Sequence, residues 1–289
     1  MSGPPAAGTG NVAEFGRFLE IQNLGLNLSF AIAFLLGAAH GVPSARVIVL
    51  VVVAFVAARN AGHSFNRWAD RRFDALNPRT RNRALVTGRY SPTFALLVTA
   101  ASAALLFVAA YLLNLLALVL APVALAILFG YSFTKRFTAA TTGFLGLVEA
   151  ITPAGAYVAV TATLPWTVLP AIGGILLWGT AFETIHSVGD IDADRAAGLH
   201  SIPAALGRDR SIRLVPALHA GALALLAAYV AVSGLGLASF VALGLMALIV
   251  GVIDLRLYRQ PEDTLFPFRA HFVLGLIFLF GVAVSVFIF

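Results

Sequence analysis

Cysteine is absent from this 289-residue chain, which excludes disulfides, thiolate metal sites and covalent haem attachment. Charge is nearly as scarce. Only 11% of residues are Asp, Glu, Lys or Arg, against about 25% in a soluble domain. Lysine occurs once, at Lys135. With 60% hydrophobic residues and a mean hydropathy of +0.92, an ordinary soluble domain is excluded and a polytopic membrane protein is predicted. The segment MSGPPAAGTG is small and polar, so residues 1–15 read as a disordered tail before a single transmembrane domain over 16–289. A cleavable signal peptide is not expected, because the first apolar run follows Arg17 and is too long for one.

A membrane-spanning helix needs about 20 apolar residues. Nine such runs are present, near 21–40, 43–67, 92–113, 115–133, 141–161, 165–188, 212–232, 236–255 and 268–289. The break between the third and fourth rests on Asn114 alone. Period-2 alternation is missing, which argues against strands. The predicted fold is therefore all-α, a bundle of about nine transmembrane helices around a central cavity.

The net charge of +6 follows this map. When connections are numbered alternately, Arg17, the run from Arg67 to Arg89, Lys135, Arg136 and the later arginines fall on one side. Arg46 alone falls on the other. This asymmetry places the basic side in the cytoplasm and the chain in the inner membrane. The surplus is read as a topology signal with anionic lipid headgroups as partners, not as a nucleic-acid surface.

Two acidic clusters lie at ends of apolar runs on that same side. In NRWADRRFD, Asn66, Asp70 and Asp74 stand four apart; in DIDAD, Asp190 and Asp194 do. Helical residues four apart share a face. Arg59 and His63 extend the first stripe into the membrane, and Glu183 and His186 extend the second. The two patterns, Asn66-x-x-x-Asp70-Arg71 and Asp190-x-x-x-Asp194-Arg195, hint at a duplicated half-bundle. Carboxylates are disfavoured at a bilayer, so two sets at matching spacing point to chemistry.

Oxygen ligands without sulfur suit Mg2+, which keeps few protein ligands and takes phosphate oxygens for the rest. Four carboxylates at about −4 would repel a diphosphate of about −3, and two Mg2+ ions would bridge them. Arg71, Arg72 and Lys135 can neutralise much of the remainder, and Lys135 and Tyr131, one turn apart at the cytoplasmic end of the fourth run, can both face the same mouth. Each charge taken singly also fits a bland role. The arginines after Arg67 suit topology determinants, Tyr131 an interfacial anchor, and His63 and His186 packing. Glu183 lies inside an apolar run, with Arg59 as a candidate partner.

At these residues the chain resembles the UbiA superfamily of intramembrane prenyltransferases, above all its 4-hydroxybenzoate polyprenyltransferase-like branch. The matching segments are N-x-x-x-D-x-x-x-D at 66–74, NPRTRNRAL at 77–85, the Y-x-x-x-K of GYSFTKR, and D-x-x-x-D followed by GLHSIPAALG at 198–207. The resemblance implies Mg2+ held by Asn66, Asp70, Asp74, Asp190 and Asp194, the aspartates being catalytic. It implies a prenyl diphosphate bound by Lys135, Tyr131, Ser132, Arg71 and Arg72. The acceptor, near Arg59, His63, Glu183 and His186, would be an aromatic quinone precursor, attacking an allylic cation at a cytoplasmic mouth. The chain departs from many relatives at Arg67, Glu183, His186 and Gly189, and its first apolar run is uncharged. A lipid alcohol or carotenoid acceptor is the alternative. A CDP-alcohol phosphotransferase would need D-G-x-x-A-R, which is missing, and a transporter would place its charges near mid-bilayer.

Overall fold

A computed structural model describes residues 12–20 and 24–288. The helices are α1 Val12–Phe18, α2 Leu24–Ala39, α3 Ala45–Asp74, α4 Pro92–Leu113, α5 Leu115–Thr134 and α6 Thr141–Thr161. They continue as α7 Leu169–Val188, α8 Ile191–Ala196, α9 Ile202–Leu206, α10 Arg208–Val232, α11 Leu237–Arg259 and α12 Leu265–Ile288. Among the described residues, eight helices are long and apolar enough to cross a membrane. The run expected at 21–40 is helical over Leu24–Ala39 as α2, and 21–23 lie outside the described residues. Eight of the nine expected runs are thus described as helices of spanning length and composition. Of the expected tail, 1–11 lie outside the described residues, whereas 12–15 belong to α1.

Asn114 does divide α4 from α5. It adopts an extended conformation, caps α5 by accepting from Ala117 N, and donates to the Val158 carbonyl of α6 at 2.8 Å. One polar side chain thus ends one helix, starts the next and ties both to a third.

The helices sort into two packed bodies. Phe34, Trp178, Tyr229 and Phe278 centre the larger one, built from α2, α6, α7, α10, α11 and α12. Ala57, Ala61, Leu106, Ala121 and Leu125 join α3, α4 and α5 in the smaller. Lipid tails are as apolar as leucine, so close backbone approach matters more here than hydrophobic burial. The crossing of α6 and α7 shows this. A Cβ on Gly179 would sit 2.9 Å from Gly146 Cα, and one on Gly146 would meet the Leu176 carbonyl.

The buried histidines of the larger body are hydrogen-bonded. His219 Nδ1 lies 2.8 Å from Asp254 Oδ1, its Nε2 lies 3.3 Å from His271 Nε2, and His271 Nδ1 lies 2.7 Å from the Pro267 carbonyl. This buried chain of polar contacts links α10, α11 and α12.

Candidate active site

The acidic stripes come together. Helix α3 runs on to Asp74, beyond the expected end at 67, so Asn66, Asp70 and Asp74 share one continuous face. The second cluster is built differently from expectation. Helix α7 stops at Val188, Asp190 has φ −105°, and Asp194 lies on the separate short helix α8. Glu183 and His186 therefore belong to another helix than Asp194. The junction is fixed from outside. Asn77 Nδ2 donates to Asp190 Oδ1 at 2.9 Å, which links the loop after α3 to the break after α7. The His200 amide donates to the Lys135 carbonyl at 2.7 Å, which ties the loop after α8 to the end of α5.

Both clusters line one cavity of about 800 Å3. At one end stand Asn66, Asp70, Asp74, Lys135, Asp190 and Asp194. Away from them the wall turns apolar, with Phe55, Leu106, Leu113, Leu120, Ile127 and Leu128 from α3, α4 and α5. Tyr131, Arg59, His63, Glu183 and His186 line the same space.

Three of the four aspartates are ion-paired. Asp70, 2% exposed, accepts from Lys135 Nζ at 3.0 Å and from Asn66 Nδ2 at 2.9 Å, with Arg136 at 3.7 Å. One Arg83 nitrogen lies 2.8 Å from both oxygens of Asp74. Arg79 forks onto Asp190 through Nε at 3.1 Å and Nη2 at 2.6 Å. Burial would raise the Asp190 carboxyl, but the Arg79 hydrogen bond and charge outweigh it and hold it low. Asp194 accepts from Ser201 Oγ at 3.2 Å. Burial and the charge of Asp190 push its carboxyl up.

Several sequence assignments change. Arg71 and Arg72, expected on a diphosphate, are not among the cavity-lining residues. Arg71 donates to the Trp68 carbonyl and lies over the Trp68 ring, and Arg72 is exposed. Residues one and two places beyond Asp70 project about 100° and 200° around the helix from it. Arg79 and Arg83, read as topology determinants, line the cavity instead. Ser132 is buried behind the site and accepts from Asn66 Nδ2 at 3.3 Å. Arg59 does not pair with Glu183. It donates to the Leu19 and Glu20 carbonyls at 2.7 and 3.1 Å, while Glu183 Oε1 accepts from Ser187 at 3.2 Å and Tyr131 at 3.5 Å.

The oxygen set suits a hard divalent ion. All five candidate ligands offer oxygen, and Asp70 Oδ1 is buried without a hydrogen-bond donor. Among the described residues, no three His, Asp or Glu side chains converge on one ion position. Mg2+ tolerates that, because one or two carboxylates plus phosphate oxygens and water complete its shell.

Fold and site together define a polytopic helical membrane protein whose cavity joins a charged end to an apolar channel. The sequence pattern of the UbiA prenyltransferase family matches residues 27–286, and the chain belongs to that family. It is 34% identical over 171 residues to a 4-hydroxybenzoate octaprenyltransferase of Nitrosomonas eutropha, a match covering 59% of this chain and 60% of that protein. The chain thus spans about three fifths of the length of such curated relatives. A UbiA homolog from Aeropyrum pernix K1, solved in its apo form, superposes with a TM-score of 0.80 at 32% identity, covering 93% of this chain and 98% of that one. A UbiA homolog from Archaeoglobus fulgidus bound to GPP and Mg2+ shares the fold at a TM-score of 0.71 and 22% identity, covering 93% and 99%.

Proposed function

We propose that this protein transfers an isoprenyl chain from an allylic prenyl diphosphate to an aromatic quinone precursor, 4-hydroxybenzoate or a related ring. The observation that carries the reading is the single cavity in which two acidic clusters meet at one end and an apolar wall leads away from it. A diphosphate head and a prenyl tail have that same division. The octaprenyltransferase named above, and the homolog bound to GPP and Mg2+, belong to the same family.

Asn66, Asp70, Asp74, Asp190 and Asp194 would hold Mg2+, which supplies Lewis-acid stabilisation of charge on the leaving diphosphate. Lys135, Arg79 and Arg83 lie among those carboxylates and can turn toward phosphate oxygens. Tyr131 can add a hydroxyl donor. Ionisation of the allylic C–O bond leaves an allylic cation, and the apolar wall of α3–α5 keeps water from quenching it. The acceptor ring attacks that carbon and then releases its proton. Arg59, His63, Glu183 and His186 would line the acceptor end.

The basic residues collect at the cavity end where the clusters meet, which supports a multi-pass protein of the cell membrane with this mouth facing the cytoplasm. Purified protein given geranylgeranyl diphosphate and a hydroxybenzoate should form prenylated product and pyrophosphate only with Mg2+. Unchanged turnover in both Asp70→Ala and Asp190→Ala would refute the assignment.

A further inference from the structure

Arg59, His63 and Arg67 stand four apart on α3, so they form a basic stripe beside the acidic one that starts at Asn66. All three line the cavity. They converge on one short segment after α1. Arg59 donates to the Leu19 and Glu20 carbonyls, His63 Nδ1 lies 3.9 Å from Glu20 Oε2, and Arg67 Nη2 lies 2.8 Å from Glu20 Oε1. Glu20 lines the cavity as well.

This stripe already holds a carboxylate. Burial opposes charge on the Glu20 carboxyl, yet His63, Arg67, Arg83 and Arg59 outweigh it and hold the group down at about 2. The field that keeps Glu20 ionised acts on any other carboxylate brought to the same place.

Arg67 is the member of the stripe whose bonding is incomplete. It is 7% exposed, and a buried donor left unmatched is costly. Its Nη2 serves Glu20 and, at 3.4 Å, the Arg17 carbonyl, whereas its Nε is buried with no hydrogen-bond partner among the described residues. Glu20 therefore meets one prong of the guanidinium. In the same cavity Arg79 gives Asp190 both prongs, Nε and Nη2. The two-pronged pair is the stronger and more directional form. The reach of Glu20 is set by its backbone, which the Arg59 hydrogen bonds and the buried Phe18 and Leu19 hold in a left-handed conformation at φ +53°.

We propose that Arg67 takes the carboxylate of the acceptor as a two-pronged pair, and that Glu20 is the resident carboxylate it exchanges. This rests on the prenyl-transfer reading above and deepens it: the acceptor is an aromatic acid, and Arg67 selects it. One carboxylate leaves the guanidinium as another arrives, so the buried arginine is never left unpaired. A ring without a carboxylate cannot replace the pair it would break. An occupant that has to give way lowers the apparent affinity by the fraction of time the site stands open, so Glu20 sets how tightly the acid is held. Arg67 follows Asn66 in sequence, so a ring anchored there lies next to the cluster that would hold the diphosphate, as attack on the allylic carbon requires.

The test uses 4-hydroxybenzoate and 4-hydroxybenzamide, which match in shape and differ by one charge. Equilibrium dialysis of each ring against wild-type protein in nanodiscs, without diphosphate, should favour the acid by about tenfold. Arg67→Met should bring that ratio to near unity. Glu20→Gln, which keeps the shape and removes the competing charge, should raise it by about tenfold over wild type. The same order should appear in kcat/KM for the two rings with Mg2+ and geranylgeranyl diphosphate. A wild-type ratio at or below unity overturns the proposal, and that measurement needs no variant to fold. A ratio that Arg67→Met leaves in place, or that Glu20→Gln fails to raise, overturns it too, because a merely structural Glu20–Arg67 pair changes the yield of folded protein and not the choice between rings. Wild-type protein that releases no Mg2+-dependent pyrophosphate with either ring counts instead against the prenyl-transfer reading, and the dialysis ratios still decide the role of Arg67.

Discussion

Asp70→Asn should separate the chemistry of this site from its stability. Asp70 is buried against Lys135, Asn66 and Arg136. An asparagine keeps the shape, and its carbonyl oxygen can still accept from Lys135 or Asn66. Lys135 and Arg136 are 29% and 34% exposed, so water can solvate the charge they lose a partner for. The folding free energy should therefore change by no more than about 1 kcal/mol. The functional effect is far larger. A unit charge about 4 Å from another is worth about 4 kcal/mol at an effective dielectric constant near 20, or about a thousandfold in rate. Allowing for the remaining carboxylates, kcat/KM for the allylic diphosphate should fall by about 10²- to 10³-fold. Pyrophosphate release across a Mg2+ titration and thermal unfolding in one detergent measure both quantities on the same sample. Turnover within about tenfold of wild type at saturating Mg2+ would refute the metal-ligand role. A large fall in Tm would show Asp70 to be a structural ion-pair partner.

Arg79→Met removes the fork on Asp190 and should raise KM for the diphosphate about tenfold, a figure reduced from that of a buried pair because Arg79 is half exposed; an unchanged KM would leave Arg79 a loop tether. For pH, the sign follows from burial and Asp190, which raise the Asp194 carboxyl, so Asp194 takes a proton above the usual carboxylate range as pH falls. The Mg2+ requirement should climb in that window, and Ser201→Ala, which removes the hydrogen bond favouring the charged form, should move the climb to higher pH; a move to lower pH contradicts the assignment. In the His219–His271 unit, Asp254→Asn keeps a hydrogen-bonding partner for His219 and should be tolerated, whereas Asp254→Leu should cost about 2–4 kcal/mol in thermal or denaturant unfolding. Equal effects of the two changes would refute the role of that hydrogen bond.

The first acidic stripe was legible because helical periodicity is a local rule: Asn66, Asp70 and Asp74 share a face on any α-helix. The same rule shows why Arg71 and Arg72 were misplaced. They are adjacent to Asp70 in sequence, but one or two steps along a helix turn a side chain away from it. Arg79 and Arg83 carry no periodic signal, and the positive-inside rule accounts for them equally well. Their role emerges only from the return of the 77–83 loop over the break after α7. That break, at Gly189, was hidden because DIDAD continues smoothly from the hydrophobic run of α7 under helical spacing. Glu20 was missed for a related reason. It precedes the first apolar run, and only the long-range grip of Arg59 and Arg67 brings it to the cavity.

The pairing pattern also bears on why the site keeps so many basic groups. Four carboxylates, Asp70, Asp74, Asp190 and Asp194, share this end of the cavity with Arg79, Arg83 and Lys135, and Arg136 lies 3.7 Å from Asp70 outside the lining. Fixed charges at the edge of an apolar phase are tolerated only when they nearly cancel. On the proposed reading, a diphosphate of about −3 with two divalent ions adds about +1. A purely acidic site would stand at about −4 empty and about −3 filled, whereas the balanced one stays near zero in both states, because each basic side chain can serve a carboxylate or a phosphate oxygen in turn. Asp194 departs from the balance: among the described residues it forms no ion pair with Lys or Arg, and it accepts only from Ser201. Added positive charge therefore gains most beside Asp194, which makes it the position where a divalent ion and a bound diphosphate should depend on each other most strongly.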